Sequence, residues 1–268
     1  MFDNNSKIHL ITFYTNKKPA LDLSEEESFL RENIAGAFDS YTAYNPDIID
    51  NKYTKHYPEL NIKEHSRGCF HGFWAWKPHI ILSRILENSV EYGDIVVYSD
   101  CNVKRYKERI NDMLALKDTT KKLFSHIDCD FLISKDHNRL KIKHHIKQSA
   151  LKHIVGKGWS FLLTQPLLHA NRVFVRKSQL SIDILSKWQE LCLDEDLLLP
   201  TLPEKQPLRW HTHDQAIITA LTRKLIEEQV LPDNWPGFCY NYNIINPNKK
   251  IIFETVNRRN NRIFYNGQ

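Results

Sequence analysis

The 268-residue chain is 41% hydrophobic and carries 37 lysines and arginines against 32 aspartates and glutamates, a net charge of +5. That is enough apolar material for a substantial core, and a single domain over 1–268 is the expected arrangement. Eleven prolines and thirteen histidines against eight glycines exclude a low-complexity chain and point to a compact fold with long structured loops. The mild positive charge suits a phosphorylated substrate or an anionic membrane surface without choosing between them. Its basic residues form no recognised nucleic-acid motif, so a nucleic-acid partner is set aside. Five well-separated cysteines with no CxxC pair read as reduced thiols of a cytosolic protein. Met1 to Ser6 is polar, and Lys7 to Tyr14 is too short and too polar for a signal peptide or a membrane span, so a cytoplasmic location is expected.

In chain order, Ile8 to Tyr14 is β-branched and aromatic and predicts a buried first strand, with Thr15 and Asn16 in the loop at its carboxyl end. Ser24 and Glu27 stand at capping-box spacing before Phe29, Leu30 and Ile34, which predicts a helix. After an irregular stretch over 45–65 comes Arg67-Gly68-Cys69-Phe70-His71-Gly72-Phe73-Trp74-Ala75-Trp76-Lys77-Pro78, the densest aromatic segment of the chain. Pro78 suits the first turn of a helix, and Ile81, Leu82, Ile85 and Leu86 give it an apolar face, so a helix is predicted over 78–88. Tyr92-Gly93-Asp94 is a turn, Ile95 to Tyr98 a buried-type strand, and Ser99-Asp100-Cys101-Asn102 its carboxyl end. Open α/β sheets bind ligands at that edge. Further helices are predicted over 104–116, 144–154, 178–193 and 214–228, strands over 130–134 and 172–176, and a proline-rich loop over 199–207. Strands and helices alternate rather than segregate, which is the pattern of an α/β fold.

Three constellations carry chemistry. Asp100 and Asn102 form a DxN pair whose oxygens suit Mg²⁺ or Mn²⁺ held jointly with a diphosphate; the other reading is a turn or helix cap. Lys77, at a predicted helix start, is placed to meet a phosphate, while Trp74 and Trp76 either stack on a base or sugar or anchor the core. His211-Thr212-His213-Asp214-Gln215 precedes an amphipathic helix; it serves a sugar, a metal or a proton, or else Asp214 is a first-turn acid and the histidines are loop residues. The pair His144-His145 reads as a solvated helix face, and Gly156-Lys157-Gly158 as a turn.

Taken together, GFWAWKP, GDIVVYSDCN and a later HDQ before an amphipathic helix resemble a group of bacterial capsule and lipopolysaccharide glycosyltransferases with a GT-A-like fold. The pattern spans Arg67 to Gln215, over half of the chain. The resemblance implies one GT-A-like domain with a mixed, mostly parallel central sheet flanked by helices. It implies that Asp100 stands in the place of the divalent-metal aspartate, with Arg67 and Lys77 near the nucleotide diphosphate and Asp214 and Gln215 lining the donor-sugar pocket. The strand end reads Asp100-Cys101-Asn102 rather than a full DxD, so Asn102 is a neutral ligand. Thr15 and Trp76 complete the expected donor site. For an inverting transfer Asp214 is the expected base, with His213 in reserve; for a retaining one, Asp214 or Gln215 sits at the donor's reacting face.

The partners that the resemblance implies are a nucleotide-sugar donor, taken as UDP-linked, and a glycan or lipid-linked glycan acceptor. Arg258, Arg259 and Arg262 in the basic segment over 257–268 suit contact with the anionic inner face of a membrane, or are a solvated terminus. Two other functions fit the same residues: a metal-dependent nucleotidyl or phosphoryl transferase, and a non-catalytic glycan-binding or assembly protein with a degenerate site.

Overall fold

The apolar run near the start forms β1 (Ile8–Phe13), and every one of its six residues is buried. A strand buried on both faces has no solvent side to alternate toward, as expected inside a sheet of parallel neighbours. The computed structural model describes residues 5–15, 22–49, 72–101, 113–135, 140–199, 211–232, 235, 252–256 and 262–266. Within them the chain divides into two compact units, one of Met1–Leu132, Asn171–Gln189 and Ile245–Pro247, the other of Ile133–Ala170, Glu190–Ile244 and Asn248–Gln268.

In the first unit β1 pairs in parallel with β2 (Ser40–Tyr44) on one side and β3 (Ile95–Ser99) on the other. Strand β5 (Leu168–Arg176) runs antiparallel to β3, with Ser99 opposite Arg172, and with β4 (Phe131–Lys135) the five-stranded order is β2-β1-β3-β5-β4. The expected α/β architecture with a mixed sheet is therefore present. Helix α1 (Ser24–Asn33) links β1 to β2, and α2 (Trp76–Leu86) precedes β3. Because β1 sends its successor to one side and takes β3 on the other, the carboxyl ends of β1 and β3 flank a topological switch point, where such sheets leave a crevice.

Local details depart from the sequence expectation for identifiable reasons. Ser24 is not a cap but the first residue of α1; the N-cap is Leu23, and the Ser24 N–H donates to Asp22 Oδ1 at 2.9 Å. Glu27, which the capping box would turn back toward the helix start, is buried and takes the Tyr41 hydroxyl at 3.3 Å and Arg31 at 3.5 Å instead. Helix α2 begins at Trp76, placing Pro78 third, where its missing N–H is still among the four that no helix pairs. The helix expected over 104–116 lies largely outside the described residues, and α3 (Leu116–His126) was not foreseen. Its buried Leu116, Thr120, Leu123 and Phe124 do keep helical spacing, but the intervening lysines and threonines masked it.

In the second unit the helix expected over 144–154 is two helices, α4 (Ile142–His145) and α5 (Gln148–Val155), with Ile146 and Lys147 extended between them. The break is set by tertiary bonds: the Lys147 N–H donates to His211 Nδ1 at 3.3 Å, and its ammonium donates to the Leu199 carbonyl at 2.6 Å. After β5, the chain continues through α6 (Gln179–Cys192), which lies mostly in the first unit, then the single turn α7 (Glu195–Leu198), which the sequence did not announce, and α8 (His213–Glu227); α6 and α8 are close to the expected bounds. Gly156 and Gly158 adopt φ of 77° and 86°, the turn expected there. Near the end of the chain β6 (Ile252–Val256) and β7 (Arg262–Asn266) form an antiparallel pair, the second within the basic segment over 257–268; Arg258 and Arg259 lie outside the described residues. Among the described residues no helix is long and apolar enough to cross a membrane.

The amino-terminal edge of the sheet is closed by buried polar groups of the first unit. Asp94 accepts the N–H groups of Lys7 and Glu91, both at 2.9 Å, and faces His9 Nε2 at 3.4 Å. His9 Nδ1 lies 2.7 Å from Ser40 Oγ, which also accepts from Arg84 at 2.6 Å. Burial lowers the His9 pKa, so its neutral form donates to Asp94 through Nε2. Asp94→Ala leaves three donors unpaired, one of them on buried His9 and two in part-buried positions, and a loss of about 2 kcal/mol is expected from urea-unfolding midpoints; a change under about 0.5 kcal/mol would show that water replaces the carboxylate there.

Candidate functional site

Asp100 follows β3 directly, and its N–H donates to the Asn171 carbonyl at 2.9 Å, carrying the β3–β5 ladder one residue past the strand. The strand end is also tied to β1 through the Thr12 hydroxyl, which donates to the Ser99 carbonyl at 2.8 Å. Side chains alternate along β3, so Tyr98 and Asp100 share a face, and the Tyr98 hydroxyl donates to Asp100 Oδ1 at 2.6 Å. Lys77, the second residue of α2, brings Nζ within 3.8 Å of the same oxygen. The two ends of this ion pair differ: the Lys77 side chain is 5% exposed and that of Asp100 37%. Positive charge is thus held inside the wall, and the carboxylate opens outward.

Aromatic rings take the place of solvent around Lys77. Its ammonium lies 5.2 Å from the Tyr98 ring centre and 6.0 Å from that of Trp76. Trp76 is itself buried, stacked on Phe13 at 3.7 Å and edge-on to Tyr98 at 6.4 Å. Between the two readings of this tryptophan, the geometry is that of a core anchor. Trp74 is half-buried. Phe73 and Trp74 adopt φ of 52° and 59°, so the short turn before α2 is strained backbone, which persists only where its surroundings hold it.

Thr15 is buried just past β1, and its carbonyl accepts the Leu23 N–H at 2.7 Å. Ile11 pairs with Tyr98, so the chain leaving β1 toward Thr15 emerges beside the chain leaving β3 at Asp100. Cys101 is buried, and burial pushes its thiol pKa up, out of the range where a thiolate nucleophile forms. Arg67 and Asn102 lie outside the described residues. One residue that reading by motif missed is Asn171: its side-chain Oδ1 is sealed from solvent and has no hydrogen-bond partner among the described residues. No spacing rule links it to Asp100; only the strand register does. Arg172, also unforeseen, is buried on the opposite face, with Nη2 3.5 Å from Met113 Sδ.

His213, Asp214 and Gln215 belong to the second unit and open α8. His211 accepts the Lys147 N–H on Nδ1 and donates from Nε2 to the Leu197 carbonyl at 2.9 Å, while His213 Nδ1 donates to the Leu198 carbonyl at 3.0 Å. With Lys147 on Leu199, three side chains satisfy the carbonyls that end α7. Thr212 is pinned through both N–H and hydroxyl to the His145 carbonyl, at 3.0 and 3.2 Å. Both histidines are buried and bonded to backbone carbonyls, His211 in the loop before α8 and His213 as its first residue. Asp214 is buried in the first turn of α8, and Gln215 beside it is half-buried.

No family model matches the chain, and no curated protein matches it. Among solved structures, that of mouse xyloside xylosyltransferase 1 in its apo form is similar at a TM-score of 0.41 and 11% identity, over 81% of this chain and 82% of that one.

Among the described residues no three His, Cys, Asp or Glu side chains gather to hold a metal ion. A divalent ion that arrives on a diphosphate needs less, since Mg²⁺ and its like use one or two carboxylates together with phosphates and water. Asp100, with Oδ1 fixed by Tyr98 and Lys77, and the buried Asn171 oxygen fit such an ion.

Burial pushes the pKa of His211 down to about 3 and that of His213 to about 4, against 6.5 for the free side chain. Below pH 6.5 the unfolded chain takes protons that the folded chain refuses, so stability falls as the pH drops from 6.5 toward 4. Each imidazole contributes a slope of about 1.4 kcal/mol per pH unit, and His9 acts in the same sense. Urea midpoints taken between pH 7.5 and 4.5 are expected to fall, and the fall is expected to be shallower in His213→Gln; identical slopes would show that His213 is protonated in the folded state.

Proposed function

We propose that the chain is a glycosyltransferase that moves a hexosyl group from a nucleoside-diphosphate sugar, UDP-linked, to a hydroxyl of a growing surface glycan at the cytoplasmic face of the membrane. The observation that carries this reading is Asp100 at the switch point of the sheet, its carboxylate open to one side and held on the other by Tyr98 and buried Lys77. The GFWAWKP segment supplies Lys77, GDIVVYSD supplies Tyr98 and Asp100, and HDQ opens α8, in the order of the capsule and lipopolysaccharide enzymes that they resemble.

Glycosyl transfer breaks the bond between the anomeric carbon and the diphosphate oxygen and forms one to the acceptor oxygen, while the acceptor's proton goes to a base. Mn²⁺ or Mg²⁺, when bound, would neutralise charge on the departing diphosphate. In the chain itself, Asp100 would hold that ion, and the Tyr98 hydroxyl fixes Oδ1 of its carboxylate. Lys77 at the start of α2 adds its charge and that of the helix end to the phosphates. Arg67, upstream, is assigned to the same diphosphate. Thr15 borders the nucleotide, and Trp76 holds Lys77 in place. Asp214 takes the acceptor proton in an inverting transfer, and Gln215 hydrogen-bonds a sugar hydroxyl. His213 remains the reserve base, its Nδ1–H being committed to Leu198.

Thermal-shift titrations with UDP, GDP and CMP, with and without Mn²⁺, test this reading. Wild type is expected to be stabilised by UDP, more so with Mn²⁺. Asp100→Ala is expected to lose the metal enhancement, and Lys77→Met to bind UDP about tenfold more weakly with or without it. Turnover of UDP-sugar by either variant is expected to drop about 100-fold. Binding without turnover in wild type would favour the degenerate binding protein, and no response to any nucleotide would overturn the reading.

A further inference from the structure

Asn171 stands directly across the sheet from Asp100. Ser99 pairs with Arg172, and the Asp100 N–H bonds to the Asn171 carbonyl, so the two residues form the next rung of an antiparallel ladder. Residues opposite one another on such a rung point to the same face, with Cβ atoms about 5 Å apart. Tyr98 occupies that face one step back, which is why its hydroxyl reaches Asp100. Beside an aspartate whose Oδ1 is already engaged, Asn171 presents a carbonyl oxygen that is sealed from water and accepts no hydrogen bond among the described residues.

A buried acceptor without a donor is costly and needs a reason. Two side-chain oxygens on neighbouring strands and one face, one of them anionic, are matched by a cation better than by any neutral group. Ligand oxygens approach Mn²⁺ or Mg²⁺ at about 2.1 Å, closer than a water molecule approaches an acceptor, so an oxygen shut off from water remains open to an ion seated on Asp100. We infer that the Asn171 side-chain oxygen is a ligand of the divalent ion that accompanies the donor diphosphate, completing with Asp100 a pair drawn from two neighbouring strands. This rests on the nucleotide-sugar reading of the site. It assigns a ligand that no sequence spacing announces, distinct from Asn102 on the same loop as Asp100.

The physical consequence is unusual for a buried polar residue. Without the ion, Asn171→Ala removes an unpaired acceptor and leaves the backbone carbonyl on Asp100 untouched, so the apo protein is expected to melt at or above the wild-type temperature. With UDP present, Mn²⁺ affinity, read by electron paramagnetic resonance of free Mn²⁺, is expected to fall about 10- to 100-fold. UDP binding without metal is expected to stay as in wild type, and Asn171→Asp, which keeps an oxygen at the position, is expected to restore Mn²⁺ binding. Wild-type Mn²⁺ affinity in Asn171→Ala would overturn the inference alone, as would an apo form melting well below wild type that Asn171→Asp does not rescue. Absence of UDP-dependent Mn²⁺ binding in wild type would overturn both this inference and the transferase reading.

Discussion

A single backbone hydrogen bond, from the Asp100 N–H to the Asn171 carbonyl, holds the chemistry of the first unit in register. Strand β3 ends at Ser99, and without that bond Asp100 would belong to a loop with free choice of direction. With it, Asp100 keeps the pleat of the strand, which fixes the face on which its carboxylate lies and brings it over Tyr98. The same rung decides what stands opposite. Because the ladder is antiparallel, the residue facing Asp100 comes from the start of a strand whose later residues cover β3, and its identity is unrelated to anything near Asp100 in sequence.

The carboxylate is then tuned by what surrounds Lys77. A lysine ammonium taken out of water loses several kcal/mol of solvation unless partners replace it. Here the partners are the Asp100 carboxylate and the faces of Tyr98 and Trp76, with the Trp76–Phe13 stack fixing the second ring. Trp76 thereby serves the site while buried in the core: removing it would loosen the wall that keeps a cation beside the carboxylate. The pairing also has a limit. At 3.8 Å, with the carboxylate side 37% exposed, the ion pair is a loose one and solvent reaches the carboxylate.

What the sequence made legible follows from how each signal is encoded. Strands β1 and β3 are continuous apolar runs bounded by turn residues, so their position and the exposure of Asp100 at a carboxyl end could be read directly. Helix α8 likewise kept its apolar spacing through Ile217, Ile218 and Leu221. Helix α3 hid because its buried face uses Thr120 among lysines, and the break between α4 and α5 hid because Lys147 answers to His211 and Leu199, residues far along the chain. The capping box at Ser24 was misread for a similar reason, since Tyr41 on β2 competes for Glu27. Asn171 was beyond reach altogether: it lies just before the strand expected over 172–176, and only the pairing of β5 with β3 sets it opposite Asp100.

The HxHDQ segment shows how one short motif divides its labour. Both histidines face inward and satisfy the carbonyls that close α7, as neutral imidazoles with defined tautomers, while Thr212 locks to His145. His213 adopts φ of 47°, a left-handed conformation that costs a non-glycine residue about 1 kcal/mol or more and survives only because bonds on both sides hold it. That kink starts α8 immediately after the clamp, so Asp214 and Gln215 emerge on a first turn whose direction is fixed by five hydrogen bonds. The histidines are thus spent on geometry, and their bonds hold the buried Asp214 and its neighbour Gln215 in one orientation at the start of α8.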